Sequence, residues 1–202
     1  MKVGVLASVE GTCLQAILDR VHGTSAEVVA VGSDKPGARA LARAEAAGVP
    51  TATFPGAEYP TREQRDLAMA AWLTERGVEL VVLAGYMQLV TPAFLSTFPW
   101  RVINVHPALL PAFPGLRAIE QALAYGVKVF GVTVHFVDEG TDSGPVILQR
   151  AVELPDAVDP AEVREALRPI EHELLTTAIE LIARGAVRRD PDHPRRILVD
   201  RP

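Results

Sequence analysis

Through the first half of the chain, short apolar, β-branched runs alternate with segments of helical periodicity, and few architectures accept that pattern. The runs are Lys2–Ala7, Glu27–Gly32, Leu80–Ala84 and Arg101–Val105. They are nearly continuous in apolar side chains, as strands buried on both faces are. Between them, Gly11–Val21, Gly37–Ala47 and Arg62–Arg76 place apolar residues three or four apart, for example Leu14, Ile17, Leu18 and Val21. Strand followed by helix, repeated, predicts right-handed βαβ units. The expected class is α/β and Rossmann-like, a mostly parallel twisted sheet with helices on both faces.

The pattern changes after Pro107. Prolines at 107, 111 and 114 suppress both helix and central strand, so a rigid loop is expected there. A helix from about Arg117 to Tyr125 follows, then two apolar runs, Lys128–Val137 and Pro145–Val152, separated by the polar stretch Asp138–Gly144. This reads as a strand, an exposed loop and a strand, a C-terminal antiparallel extension of the sheet. A final helix is expected from Pro160 to Arg184, with Pro160 suited to its first turn, Gly185 to the position past its end, and Pro169 as a kink. At 202 residues the chain is expected to form one domain over 1–187, in halves of 1–100 and 101–187. Residues 188–202, rich in Arg, Asp and Pro, read as a loosely packed tail.

Composition narrows the function. With 25 acidic and 20 basic residues the formal charge is -5, which offers no overall attraction to nucleic acid and favours small-molecule partners. The single cysteine, Cys13, excludes an internal disulfide and a cysteine-based zinc site, and fits a cytoplasmic, reducing compartment. The N-terminal run is broken by Ser8 and Glu10, so neither a signal peptide nor a membrane span is expected. No metal is expected, and a homodimer stays open.

In a doubly wound sheet, ligands bind beyond the carboxyl ends of the strands, so polar residues just past those ends carry the most weight. Three places qualify. Ser8–Cys13 turns from the first strand into the first helix, where backbone N–H groups and the helix dipole suit a phosphate. It lacks the three-glycine dinucleotide fingerprint, and an ordinary capped turn is the plainer reading. Asn104-Val105-His106 ends a strong strand, and residues two apart on a strand face the same side. Asp142 lies in a Gly-flanked loop, where Asp is ordinarily a turn former, and gains interest only as a partner for His106. Together the three suit acyl transfer without a covalent intermediate: Asn104 stabilising an oxyanion, His106 supplying positive charge or a proton, and Asp142 orienting the imidazole or relaying a proton. No Gly-x-Ser-x-Gly elbow marks a nucleophile, and no His/Glu spacing fits zinc. His22, His135, His172 and His193 are taken as structural or exposed.

The segments Asn104–Gly115, Gly131–Asp138 and Asp142–Gln149, read in that order, resemble the folate-dependent formyltransferases, and within them the branch that formylates glycinamide ribonucleotide in purine synthesis. The resemblance runs from Met1 to about Gly185 and includes Leu83–Met87 and Ile170-Glu171-His172. It implies the formyltransferase fold, 10-formyltetrahydrofolate as co-substrate and glycinamide ribonucleotide as acceptor. It implies a nucleotide-phosphate-binding half at 1–100 and a folate and catalytic half at 101–187. Asn104, His106 and Asp142 match the family's catalytic trio. Gly11, Thr12 and Cys13 fall on its phosphate loop, with Glu171 at the ribose. Met87, Gln88, Leu89 and Val90 fall on the wall of the folate pocket, Gly140 and Thr141 on the loop that closes over the pterin, and Arg62 near the folate's glutamate tail.

Departures from the family pattern concentrate in the first loop. Where relatives commonly read Ser-Gly-x-Gly-Ser-Asn, this chain has Ser8-Val9-Glu10-Gly11-Thr12-Cys13. A carboxylate beside a phosphate is repulsive, so Glu10 either points to solvent or weakens binding. Arg168, one helical turn before Glu171, is placed to restore attraction. Gln88 stands where an arginine often occurs. Two other readings share much of the pattern: formyltetrahydrofolate hydrolase, which needs nearly the same trio, and a non-catalytic nucleotide-binding module suggested by the altered loop.

Overall fold

A computed structural model describes residues 1–200 of the chain. Its strands are β1 (Lys2–Leu6), β2 (Glu27–Ser33), β3 (Thr51–Thr53), β4 (Leu80–Leu83), β5 (Val102–His106), β6 (Val129–Phe136), β7 (Val146–Glu153), β8 (Val187–Arg189) and β9 (Ile197–Val199). Its helices are α1 (Thr12–Arg20), α2 (Arg39–Ala46), α3 (Arg62–Glu75), α4 (Pro92–Thr97), α5 (Ala118–Tyr125) and α6 (Pro160–Ala183). A seven-stranded sheet runs in the order β3-β2-β1-β4-β5-β6-β7, and β8-β9 form a separate pair. The mostly parallel α/β class with an antiparallel C-terminal extension is the one expected.

The chain packs as two compact units, Met1–Asn104 and Val105–Pro202. In the first unit the pairs β1·β2, β1·β4, β2·β3 and β4·β5 are all parallel, as βαβ units require. The strand interiors Val3, Val5, Leu6, Val31, Val81 and Val82 are fully shielded, which explains why these runs read as continuous rather than alternating hydrophobics. α1 buries Leu14 and Ile17, and α3 buries Met69 and Leu73. Thr61 caps α3, its hydroxyl accepting from the Gln64 N–H at 3.1 Å. The short β3 and α4 escape periodicity because three- and six-residue elements hold less than two turns of pattern.

In the second unit β6 and β7 pair antiparallel from Val129↔Glu153 to His135↔Val146, so the loop 137–145 turns back at the carboxyl end of β6. α6 packs along both strands and runs unbroken from Pro160 to Ala183 with Pro169 inside it. Asp159 caps it by accepting from the Ala161 N–H at 2.9 Å. Over its described residues the expected loosely packed tail is an antiparallel hairpin, with Val187↔Val199 and Arg189↔Ile197 in register and β9 lying beside β7, while residues 201–202 of that tail lie outside the described residues. Backbone pairing of Val187–Arg189 with Ile197–Val199 overrides the charged composition that suggested loose packing. Among the described residues no helix is long and apolar enough to cross a membrane.

Candidate active site

β5 carries Asn104 and His106 two residues apart near its carboxyl end. Side chains alternate along a strand, so both project from the same face, Asn104 half-buried and His106 buried. The proline-bounded loop after His106 is held in the second unit by one buried hydroxyl. Thr133 of β6 donates to the Ala108 carbonyl at 2.6 Å and accepts from the Leu110 N–H at 3.1 Å. Gln149 of β7 adds an amide donated to the Leu110 carbonyl at 2.8 Å and to the Thr133 hydroxyl at 2.9 Å. The loop, with its cis Leu110-Pro111 peptide, then folds back so that the Phe113 carbonyl lies 2.9 Å from His106 Nε2.

Asp142 is met by three groups. Its Oδ2 lies 3.3 Å from His106 Nδ1 and accepts from the Gly115 N–H at 2.7 Å, while its Oδ1 lies 3.6 Å from His135 Nε2. Burial by itself would raise this carboxyl's pKa. The His135 hydrogen bond, the Gly115 N–H and the positive charge available on both imidazoles outweigh it and lower the pKa from 3.8 to about 2. The group is therefore a carboxylate near neutrality. His106 has an oxygen acceptor at each nitrogen, Phe113 O and Asp142 Oδ2, and His135 likewise has Phe136 O at 2.8 Å and Asp142 Oδ1. Each ring is thereby fixed in orientation by oxygen atoms at both of its nitrogens, with the Asp142 carboxylate shared between the two rings.

His135, expected to be structural, thus belongs to the cluster. A signal for it existed: it sits at the carboxyl end of a strand, immediately before the Asp142 loop. The backbone groups of Phe113 and Gly115 carried no such signal, because any residue supplies a carbonyl or an N–H. Gly144, at the far end of the loop, is required by space: a Cβ there would collide with the Phe136 carbonyl oxygen.

In the first unit, Gly11 caps the N-terminus of α1 at φ 68°, and a Cβ on it would meet Ala40 Cα at 2.8 Å. Thr12 and Cys13 begin the first helical turn, where backbone N–H groups and the positive end of the helix dipole point along the axis toward the N-terminus. Glu10 is exposed and turned onto α2, its carboxylate 2.8 Å from Arg39 Nη1, while Arg43 Nε donates to the Glu10 carbonyl at 2.9 Å. The expected repulsion is thereby directed away from the turn and partly neutralised.

Residues 85–91 are clamped at both ends. Ser8 Oγ accepts from the Met87 N–H at 2.8 Å, and Asp66 Oδ2 accepts from the Thr91 N–H at 2.7 Å. Asp66 is itself buried against Arg65, which donates from Nη2 at 2.8 Å. The clamp leaves Met87 and Leu89 about half exposed and buries Val90. Gln88 donates to Asp34 Oδ2 at 3.2 Å. The Tyr86 hydroxyl has its pKa raised by burial, Arg65 opposing, and donates to Met69 Sδ. Arg62 is exposed at the start of α3.

On α6, the Glu171 carboxyl is raised in pKa by desolvation, with Arg164 and Arg168 pulling the other way. Arg168 itself lies against Glu165 at 2.6 Å in an exposed pair. Gly140 and Thr141 are exposed in the loop ahead of Asp142. Among the described residues no group of three or more His, Cys, Asp or Glu could hold a metal ion.

A family model described as formyl transferase matches residues 1–179. The chain is 45% identical over 184 residues to the phosphoribosylglycinamide formyltransferase of Mycobacterium tuberculosis strain H37Rv, covering 91% of this chain and 85% of that protein. It is 38% identical over 181 residues to the phosphoribosylglycinamide formyltransferase of Bacillus subtilis, covering 89% of this chain and 93% of that one. The crystal structure of glycinamide ribonucleotide transformylase 1 from Symbiobacterium toebii matches at a TM-score of 0.94 and 45% identity, over 98% of this chain and 93% of that chain.

Proposed function

The chain belongs to the formyl transferase family, and from that premise we propose that it moves the formyl group of 10-formyltetrahydrofolate to the amine of glycinamide ribonucleotide, a step of purine synthesis. The amine nitrogen attacks the formyl carbon, a C–N bond forms, and the carbonyl oxygen takes up the negative charge. Asn104 donates to that oxygen from its amide, and the imidazolium of His106 lowers its energy by charge. Collapse breaks the bond between the formyl carbon and N10 of the folate. The proton released by the amine goes by way of Asp142, in exchange with His106, to the departing N10.

The observation that carries the reading is the Asp142 carboxylate held between two imidazoles and a backbone N–H. Such a carboxylate orients the His106 ring and sets a fixed negative charge beside it, and a transfer reaction with no covalent intermediate needs that kind of prearranged charge. Gly11, Thr12 and Cys13 at the start of α1 suit the acceptor's phosphate. Arg168 adds positive charge, and Glu171 accepts from the ribose hydroxyls. Arg62, Met87, Gln88, Leu89, Val90, Gly140 and Thr141 are assigned to the folate.

The test is to incubate the protein with 10-formyltetrahydrofolate, with and without glycinamide ribonucleotide, and follow the formyl group. Transfer that requires the nucleotide is expected. Loss of formyl at the same rate without it would point to hydrolysis, and no turnover in either case would refute the reading.

A further inference from the structure

The C-terminal hairpin makes one contact with consequences for catalysis. Arg195, in the turn between β8 and β9, donates from Nη2 to the Ser143 carbonyl at 2.5 Å. Ser143 follows Asp142, and Asp142 sits at φ 49°, a left-handed conformation uncommon for residues with a side chain, although Asp tolerates it better than most. Within the loop, Asp138 Oδ1 accepts from the Ser143 hydroxyl at 2.6 Å and from the Gly140 N–H at 3.2 Å. Those bonds close the loop on itself. From outside, the Asp142 side chain is met by His106, His135 and the Gly115 N–H, and the Arg195 bond adds a constraint on the backbone next to it.

The hairpin is built to hold the arginine in place. Asp190 is nearly buried, accepts from the Asp192 N–H at 2.9 Å and lies 3.6 Å from both His193 Nδ1 and Arg196 Nη1. The Asp190 N–H reaches the Arg196 carbonyl at 2.9 Å, and the Arg196 N–H the His193 carbonyl at 2.8 Å, so the turn carrying Arg195 is cross-linked by its own backbone. β9 lies beside β7, the strand that leaves the loop. The hairpin that carries Arg195 lies beyond the residues 1–179 matched by the family model.

We propose that Arg195 is a positioning residue for the Asp142 loop: its guanidinium holds the Ser143 carbonyl and so keeps Asp142 in the backbone conformation in which its carboxylate meets His106, His135 and Gly115. The inference rests on the formyl-transfer reading for its effect on turnover. The latch itself is a statement about loop order.

The experiment uses the full chain with Arg195→Ala, Arg195→Lys and, as a control, Asp142→Asn. Hydrogen exchange of the 138–144 amides is measured by mass spectrometry alongside steady-state kinetics. Arg195→Ala is expected to speed exchange in that segment and to lower kcat about tenfold, with KM for glycinamide ribonucleotide within about twofold. Arg195→Lys, which keeps a charged donor, is expected to recover most of both losses. A purely structural tail would move the melting temperature without this split. Unchanged exchange in Arg195→Ala refutes the latch whether or not the protein turns over. Faster exchange with unchanged kcat, or no recovery in Arg195→Lys, refutes its positioning role. Absence of turnover by the natural sequence, or full turnover by Asp142→Asn, would instead count against the formyl-transfer reading and leave the exchange result to decide the latch.

Discussion

The Oδ2 of Asp142 lies 3.3 Å from Nδ1 of His106, although one residue ends a parallel strand and the other hangs in a loop after the next strand. In the proposed reaction the carboxylate acts in the transition state rather than in holding substrate. Asp142→Asn keeps the shape and removes the charge, so kcat should fall about 100-fold or more, with KM for either substrate within about threefold. Steady-state kinetics with each substrate varied in turn checks this. A loss of tenfold or less, about 1.4 kcal/mol, would remove Asp142 from the proton path.

The same carboxylate links stability to pH. Its folded pKa of about 2 is below its ordinary value of 3.8, so its contribution is fully present above about pH 4 and is lost as pH falls through about 2. Its side chain is only 15% exposed, which limits solvent screening, and the shift corresponds to about 2 kcal/mol. Urea unfolding at pH 6, 4 and 3 should show natural protein and Asp142→Asn converging as pH drops. A gap independent of pH would mean that the carboxylate's charge contributes nothing to folding.

Thr133 serves Ala108, Leu110 and Gln149 with one hydroxyl, and is fully buried. Thr133→Val keeps the volume but strands a buried carbonyl and a buried N–H. A cost of about 2 kcal/mol follows, lowering the melting temperature by about 4–8 °C by calorimetry. The loop carries Phe113 back to His106, so kcat should fall further than the loss of folded protein explains.

Glu10 and Arg39 form a pair whose side chains are 60% and 70% exposed, so neither is held strongly. Glu10→Gly should leave the dissociation constant for glycinamide ribonucleotide within about twofold, because the carboxylate already faces α2. Arg39→Ala bares that carboxylate and should weaken binding by up to about fivefold at low salt, an effect gone near 0.5 M salt. Calorimetric titration at the two salt concentrations checks both.

The sequence by itself determined the parallel sheet, because strands buried on both faces must be continuously apolar and crossover helices must repeat every three to four residues. It also marked Asn104 and His106, since strand alternation is local and places residues two apart on one side. Local chemistry marked Asp142 only as a loop residue suited to partner His106, and the family resemblance supplied its match to the catalytic trio. What tertiary structure alone decided is what comes to meet these groups. Antiparallel pairing of β6 and β7 returns the loop to the end of β6, where Asp142 reaches His106 and also His135, which periodicity reads as one more buried strand residue. The Gly115 N–H, the Phe113 carbonyl and the latch from Arg195 to the Ser143 carbonyl involve backbone atoms that every residue possesses, so composition cannot announce them. The tail misled for the same reason: its charged side chains suggested loose packing, while the bonds that order it run between backbone groups of Val187–Arg189 and Ile197–Val199 that pair only once the chain has folded back on itself.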